Sequence, residues 1–306
     1  MEITYDYYRI FYYVAKYKSF SKAAAALMSN QPNVSRFMNN LENQLGCKLF
    51  IRSNRGVTLT PEGEKLYHHV AIAYHHIQTA ELELANDKSL ANGSITIETS
   101  ETALHILLLP ILQRFHQTYP GIRLCISNHT TPQALQVLKS GLADFAIVTS
   151  PKEMHKPLKR TPLVQFQEIL IGSSQYAFLA DTTNHLSELS GYPLISLGKE
   201  AATYEFYSKL YLQHDLVWNP DTEVATTDQI LPLVKNGLGI GFVPEKFALD
   251  ALAAGEVCQI PLYEDIPFRT ICLIEDRSHS LSIAANALKR LLLETCVTRR
   301  SPSQSV

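Results

Sequence analysis

The sequence lacks several features that would place it in other classes of protein. It contains no run of about 18 apolar residues, so no membrane span is predicted. It begins MEITYD, without a basic head and an apolar core, so no secretory signal is predicted and we expect a cytoplasmic protein. No P-loop, GxSxG or HExxH motif is present, and we predict no catalytic residue, metal or cofactor.

Cysteine is also sparse, with five residues and no CxxC pair. An odd and scattered set favours buried thiols over disulfides or a metal site. A redox-sensing pair stays open as the minor alternative.

Charge is unevenly distributed along the 306 residues, which suffice for two or three domains. The formal net charge of the whole chain, −2, by itself argues against nucleic-acid binding. Residues 1–60, however, hold eight Lys/Arg and three Asp/Glu, a net charge of +5, and the remainder carries −7. A basic N-terminal region followed by an acidic remainder is typical of a DNA-binding protein with a separate control domain.

Two helices joined by a tight turn are predicted in residues 19–46. Ser19 or Ser21 can cap the first helix, and Asn30 can cap the second. Gly46 ends the second helix. Apolar residues in this second helix recur at spacings of four, three and four, which predicts a buried stripe of Val34, Met38, Leu41 and Leu45.

The other face of the second helix is rich in amides, Asn39 among them, and carries one guanidinium and a single acid, Glu42. Amides and guanidinium groups read base edges through paired hydrogen bonds, and a helix N-terminus suits a phosphate. We therefore predict DNA contacts from Gln31, Pro32, Asn33, Ser35 and Arg36. An ordinary helical hairpin with a polar outer face fits this pattern equally well when it is taken alone.

The segment that follows, residues 49–63, favours the DNA-binding interpretation. Its alternating pattern predicts a hairpin wing with Arg52 and Arg55 at its tip. Two arginines in this place are suited to a phosphate backbone or a minor groove.

Many positions in this region together resemble the winged helix-turn-helix of the LysR-type transcriptional regulators. The similarity covers about the first sixty residues densely and the remainder loosely. Asn30 stands where this family usually has Ser or Thr, Lys18 where it has Gly, and Tyr8 where it has Leu. The matching residues are Ser19, Phe20, Ala23, Ala24, Leu27, Gln31, Pro32, Val34, Ser35, Leu41, Glu42, Leu45, Gly46, Leu49, Phe50, Arg52, Leu59, Thr60 and Gly63.

A long linker helix is predicted in residues 61–92, capped by Thr60. It carries a heptad seam, which we expect to pair with the same helix of a second chain. A homodimer would place two recognition helices on two half-sites. Four histidines lie beside the seam, and a solvated face explains them better than a metal site. The seam consists of Leu66, Val70, Ala73, Ile77, Ala80 and Leu84; the histidines are His68, His69, His75 and His76.

Strands alternate with helices from residue 93 onward, which predicts parallel sheets covered on both faces and an α/β fold. By the same family resemblance, this part is a two-lobed α/β effector domain similar to periplasmic binding proteins. The resemblance assigns residues 93–162 and 267–296 to the first lobe and 163–266 to the second. It also implies a small-molecule effector and a homotetramer besides the homodimer. Residues 297–306 are predicted to be a disordered tail.

Ligands of such sheets collect at the carboxyl ends of strands, beside helix N-termini. Hydroxyls and free helix amides favour a small anion such as a carboxylate. Each hydroxyl taken singly is better explained as a helix cap or turn former, and the ligand site is predicted from the set as a whole. The predicted effector-binding residues are Ser100, Thr102, His129, Thr131, Ser196, Thr203 and Thr226.

The sequence thus predicts a transcriptional regulator that binds double-stranded DNA under the control of a small-molecule effector. The alternative is a small-solute-binding protein or an enzyme with a two-lobed α/β fold. A solute-binding protein would not need the basic N-terminal region, and no catalytic motif in the sequence favours an enzyme.

Overall fold

The structure is a computed structural model that describes residues 3–53, 56–85, 92–149, 154 and 156–299. It omits the side chains of residues 53, 75, 79, 82–85 and 297–299. The predictions for Arg55, for the side chains of His75 and Leu84, and for the tail beyond residue 299 lie outside the described residues. The chain divides into two compact units, Met1–Asp87 and Lys88–Val306. In its described part, no helix has the length and apolar character that crossing a membrane requires.

The first unit begins with three helices, α1 (Tyr5–Tyr17), α2 (Phe20–Ala26) and α3 (Gln31–Leu45). The predicted caps are confirmed: Ser19 Oγ accepts from the amide of Lys22 at 3.3 Å, and Asn30 Oδ1 from that of Asn33 at 2.9 Å. Gly46 ends α3 with a left-handed φ of +69°. The apolar faces of the three helices form one buried core that includes Phe11, Val14, Ala23, Val34, Met38 and Leu41.

Strands β1 (Phe50–Ser53) and β2 (Gly56–Leu59) form the predicted wing as an antiparallel pair, with Phe50 opposite Leu59. The turn after α1 helps to hold the wing, since the carbonyl of Lys18 accepts from the amide of Val57 at 3.2 Å. Lys18 has a left-handed φ of +50°. A glycine is favoured in this conformation, which explains the usual residue of the resembled family at this position.

Glu42 departs from its predicted place on the polar face of α3. It is buried, whereas Leu45, predicted to complete the buried stripe, is 38% exposed. Glu42 Oε1 accepts from the amides of Leu49 and Phe50 at 2.9 and 3.3 Å, and Oε2 accepts from Lys48 Nζ at 2.7 Å. Burial raises the pKa of Glu42, but the hydrogen bonds from these three residues outweigh it and hold the pKa below its usual value. The carboxylate therefore joins α3 to the start of the wing.

Helix α4 (Pro61–Ala85) follows the wing, and Thr60 caps it by accepting from the amide of Gly63 at 3.0 Å. Its first half packs on α1 through aromatic rings. The ring of Tyr74 lies 4.4 Å from that of Tyr12, and its hydroxyl lies 2.9 Å from the Tyr13 hydroxyl. Val70 is buried in the same core, whereas Ile77, further along the predicted seam, is 37% exposed.

The second unit contains two five-stranded sheets. The sheet of the first lobe has the order β4-β3-β5-β12-β6, and the sheet of the second lobe has the order β11-β7-β10-β8-β9. The first comprises β3 (Gly93–Thr99), β4 (Ile122–Asn128), β5 (Phe145–Thr149), β6 (Leu158–Phe166) and β12 (Arg269–Asp276). The second comprises β7 (Glu168–Ser173), β8 (Leu194–Leu197), β9 (Thr222–Val224), β10 (Ile240–Pro244) and β11 (Val257–Gln259).

The prediction of parallel sheets holds for four of the five strands in each sheet and is wrong for the fifth, which runs antiparallel to its neighbours. In the first lobe β12 runs antiparallel to both β5 and β6, and in the second β7 runs antiparallel to β10 and β11. Strands β6 and β12 carry the chain between the lobes in opposite directions, which makes their pairing antiparallel. Their ladder continues to the pair Phe166 and Arg269, so the predicted lobe boundary at residue 162 falls inside β6.

Helices cover both sheets, and most of them begin at the ends of strands. Thr130, rather than the predicted Thr131, caps α7 through a capping box with Gln133. The final helix extends to Arg299, three residues into the predicted tail. The helices of this unit are α5 (Glu101–Ala103), a π-helical turn (Leu104–Leu108), α6 (Leu109–Thr118), α7 (Thr131–Lys139), α8 (Ala202–Gln213), α9 (Ile230–Lys235), α10 (Glu245–Ala253) and α11 (Ile283–Arg299), with 3-10 turns at Ser174–Leu179, Glu188–Gly191 and Thr227–Gln229.

Replacing Glu42 with Gln is expected to loosen the wing by about 1–3 kcal/mol, because one acceptor oxygen becomes an NH2 group that faces a donor. Hydrogen exchange of the Leu49 and Phe50 amides should accelerate by about tenfold or more. The matched control is Glu81→Gln on the exposed side of α4, which should leave both amides protected. Unchanged protection at Leu49 and Phe50 in Glu42→Gln would contradict the anchoring role.

Candidate functional site

The outer face of α3 presents the predicted polar residues to solvent. Gln31, Pro32 and Arg36 are exposed, while Asn33 and Ser35 are half-buried. Ser21 Oγ donates to Gln31 Oε1 at 3.0 Å, which fixes the orientation of the amide and leaves its NH2 group as a donor. The N-terminal half of α3 thus offers an oriented amide donor at Gln31 and the guanidinium of Arg36, which lies 6.0 Å from the ring centre of Phe37.

Arg52 of the wing lies against the helical surface rather than apart from it. Its guanidinium lies 4.5 Å from the ring centre of Phe20, and Nη2 donates to Asn39 Oδ1 at 3.1 Å. The wing and α3 therefore form one continuous polar surface in which the cation of Arg52 is already positioned. Asn39, which joins them, was assigned to the polar face of α3 by its helical spacing.

A second candidate site is the cleft between the two lobes of the second unit. Its volume is about 230 Å³, and it opens where β3, β4, β8 and β9 end. Six of the seven predicted effector-binding residues line it, namely Ser100, Thr102, His129, Thr131, Thr203 and Thr226. Ser196 does not: it is buried within β8, and Leu197 after it contributes to the lining instead.

Several of the cleft hydroxyls also cap helices. Ser100 Oγ accepts from the amide of Ala103 at 3.4 Å, and Thr226 forms a capping box with Gln229. Thr131 Oγ1 donates to the carbonyl of Thr149 at 3.2 Å. Capping and cleft lining therefore coincide at Ser100 and Thr226, because these caps lie at the strand ends that open into the cleft.

Helix α8 begins differently. Its N-cap, Ala201, has no side-chain capping bond, although Ala201, Ala202 and Thr203 all line the cleft. The first amides of a helix lack intrahelical acceptors and carry the positive end of the helix dipole. This end of the cleft is therefore suited to an anion.

Two acidic residues lie on the first-lobe side of the cleft, and both have partners. Glu98 is buried and hydrogen-bonded to Nδ1 of His129. Glu101 contacts His105 Nε2 at 2.7 Å and accepts from the amide of Asn128. Because Nδ1 of His129 donates to the carboxylate of Glu98, Nε2 is the ring nitrogen available for other contacts.

Arg269, which sequence reasoning missed, lies beneath the cleft and is 2% exposed. Nη1 donates to the buried carboxylate of Glu168, which also accepts from the hydroxyl of Tyr207. Nη2 donates to Thr203 Oγ1 at 2.9 Å and to Thr149 Oγ1 at 3.3 Å. Burial raises the pKa of Glu168, and the charge of Arg269 opposes this shift.

The position of Arg269 joins the two lobes. Arg269 and Thr149 belong to the first sheet, whereas Glu168 and Thr203 belong to the second lobe. The signal available in the sequence was a charged residue at the start of the otherwise mostly apolar segment 268–274.

The remaining titratable groups offer little further chemistry. Among the described side chains, no three His, Cys, Asp or Glu residues are grouped as metal ligands would be. The five cysteines all lie in the described part of the chain, and none of them forms a disulfide.

Comparison with known proteins gives matches over both units. Residues 5–64 match the model of the bacterial regulatory helix-turn-helix proteins of the lysR family, and residues 88–297 match the LysR substrate binding domain. A probable RuBisCO transcriptional regulator of Gracilaria tenuistipitata var. liui is 25% identical over 303 residues, covering 97% of this chain and 98% of that protein.

Solved structures give the same fold at lower identity. A full-length OxyR variant from Pseudomonas aeruginosa superposes with a TM-score of 0.68 at 20% identity, covering 100% of this chain and 99% of that one. CbnR, a LysR family transcriptional regulator, gives 0.69 at 16% identity, covering 97% of this chain and 99% of that one.

Arg269→Met is expected to destabilise the second unit by about 3–5 kcal/mol, because it leaves the carboxylate of Glu168 buried without its cation. The double variant Glu168→Leu/Arg269→Met should regain most of this loss. Urea denaturation followed by Trp218 fluorescence measures the free energy of unfolding of each variant. The single Trp is buried and stacks on Tyr207, with 4.9 Å between the ring centres.

The control for this pair is Lys235→Met, in the second lobe with Glu168. It breaks the Lys235–Glu256 ion pair, whose side chains are 36% and 47% exposed. An exposed pair contributes under about 1 kcal/mol. A double variant as unstable as Arg269→Met alone would show that the two charges are not coupled.

Proposed function

Since the chain belongs to the LysR family of transcriptional regulators, we propose that α3 and Arg52 contact DNA directly and that a small carboxylate in the cleft controls this contact. The protein is a transcriptional regulator with a helix-turn-helix DNA-binding domain and an effector-binding domain. The proposal covers which residues contact DNA, the chemical class of the effector, the oligomeric state and the cytoplasmic location.

The observation that carries the DNA side of the proposal is the continuous surface of α3 and the wing. Gln31 and Arg36 project from the start of α3, where a recognition helix meets base edges. Arg52 lies one hydrogen bond from α3, where its charge suits an adjacent phosphate. Base reading is therefore assigned to Gln31, Asn33, Ser35 and Arg36, and backbone contact to Arg52, with Arg55 retained from the sequence.

The cleft supports a small anion as effector. The uncapped N-terminus of α8 and the residues Ser100, Thr203 and Thr226 line one volume. Arg269 lies buried beneath it and donates to Thr203. A volume of about 230 Å³ limits the effector to a small molecule. An exported solute-binding protein would account for this cleft but not for the helix-turn-helix unit.

Homodimerisation through α4 is part of the same proposal. Val70 packs inside its own unit, but the seam residues that follow it toward the C-terminal end of α4 are exposed, namely Ala73, Ile77 and Ala80. A second copy of α4 would cover them as a coiled-coil seam. The effector then acts only if the two arrangements of the assembly bind it with different affinity.

Arg36→Ala is expected to weaken binding to the promoter fragment beside the protein's own coding region by about 1–3 kcal/mol, with a loss that depends on the base sequence. Arg52→Ala should weaken binding to all sequences alike and reduce the slope of log affinity against log salt by about one. Titrations at several salt concentrations measure both. Arg114→Ala, an exposed arginine of α6, is the control. Equal salt slopes for Arg52→Ala and the wild type would refute the backbone contact.

Ile77→Glu is expected to weaken the dimer by at least about tenfold, because it places a charge in the proposed apolar seam. Sedimentation equilibrium across micromolar concentrations measures the association. Gln78→Glu adds the same charge at the next position, off the seam, and should leave association unchanged. A wild-type protein that stays monomeric at these concentrations would contradict dimerisation itself.

A further inference from the structure

We propose that Arg269 determines the charge of the effector from beneath the cleft, by holding Thr149 and Thr203 as a pair of hydroxyl donors for one anionic oxygen group. The inference rests on the proposed function of the cleft as an effector site. It goes further by assigning charge selection to a residue that does not line the cleft, and by adding Thr149 to the ligand contacts.

The geometry of the guanidinium supports this role. One nitrogen, Nη2, donates to both threonine hydroxyls, at 2.9 Å for Thr203 and 3.3 Å for Thr149. Both threonines line the cleft, and they come from different lobes. The cation is therefore separated from the ligand volume by a single layer of hydroxyl groups.

A threonine hydroxyl has one hydrogen and two lone pairs. Because Nη2 occupies a lone pair of each hydroxyl, each threonine keeps its own hydrogen for another acceptor. Among the described residues, neither hydroxyl donates a hydrogen bond to a protein atom. Polarisation by the adjacent cation strengthens both donors. A ligand oxygen that accepts from both is bound by one hydrogen bond from each lobe.

The electrostatic balance around Arg269 favours an anion. Glu168 neutralises the Nη1 end of the guanidinium, and the rings of Phe166 and Phe206 flank it at 5.5 and 5.1 Å. Nε has no partner within the described part of the chain, so the protein does not saturate the donors of this buried cation. Glu101, the acidic residue in the cleft lining, is engaged by His105 and Asn128.

Arg269 is thus a positioning residue, and its test needs a readout that a structural role alone would not change. That readout is the ratio of affinities for a carboxylate and its neutral primary amide. The full-length protein is titrated by calorimetry with acetate, propionate, benzoate and succinate, and with acetamide, propionamide, benzamide and succinamide.

At least one carboxylate is expected to bind the wild type about tenfold or more tightly than its amide, because a hydrogen bond to a charged group is worth more than one to a neutral group. Thr203→Val and Thr149→Val should each abolish this preference, and Thr203→Ser and Thr149→Ser should restore it. Arg269→Lys should reduce it, since a single ammonium cannot reproduce the fork that holds Glu168 and both hydroxyls. Ser196→Ala, buried in β8 outside the cleft, is the control and should retain it.

The outcomes separate this proposal from the broader one. If amides bind as tightly as carboxylates, or the valine variants keep the preference, Arg269 does not select charge although the cleft still binds ligands. If the wild type binds none of the probes, the proposed carboxylate site fails together with this inference. Since the threonine variants leave the ion pair intact, the test holds even if Arg269→Lys does not fold.

Discussion

The buried ion pair of Arg269 and Glu168 is the interaction on which the arrangement of the second unit depends. The two residues lie 101 positions apart in the chain, at the junction where strands pass between the lobes. A charge buried at this depth persists only with a partner and satisfied hydrogen bonds, so neither lobe can shift far without exposing an unpaired charge. Because Arg269 also holds Thr149 and Thr203, the same pair that fixes the junction arranges the floor of the cleft.

The first unit uses a buried carboxylate in the same way. Glu42 binds the amides of Leu49 and Phe50, so the start of the wing is attached to α3 through hydrogen bonds rather than apolar packing alone. Packing tolerates small sliding movements, whereas a carboxylate with fixed donors allows one arrangement. The benefit is geometric, since the proposed function requires Arg52 to reach the same DNA as α3.

Sequence reasoning performed well where local chemistry decides the outcome. Side-chain oxygens followed by helical periodicity located the caps at Asn30 and Thr60. Of the seven residues predicted from strand ends, six line the cleft. The assignment of buried and exposed faces was wrong at Glu42 and Leu45. Helical periodicity assigns a residue to a face by its type, but a charged residue can be buried when distant residues supply hydrogen bonds to it. Arg269 and Thr149 were missed for the same reason: their roles arise from contacts across more than a hundred residues of chain.

The two threonines suggest how the cleft turns occupancy into a change of state. A ligand shifts an equilibrium only by its difference in affinity for the two states. A contact made by a single lobe is the same whether the lobes are close or apart, and it contributes nothing to that difference. An oxygen bound by Thr149 of one lobe and Thr203 of the other keeps both hydrogen bonds only while the lobes stay at the separation that Arg269 sets. In the proposed site, the ligand contacts that matter for regulation are therefore those that bridge the lobes.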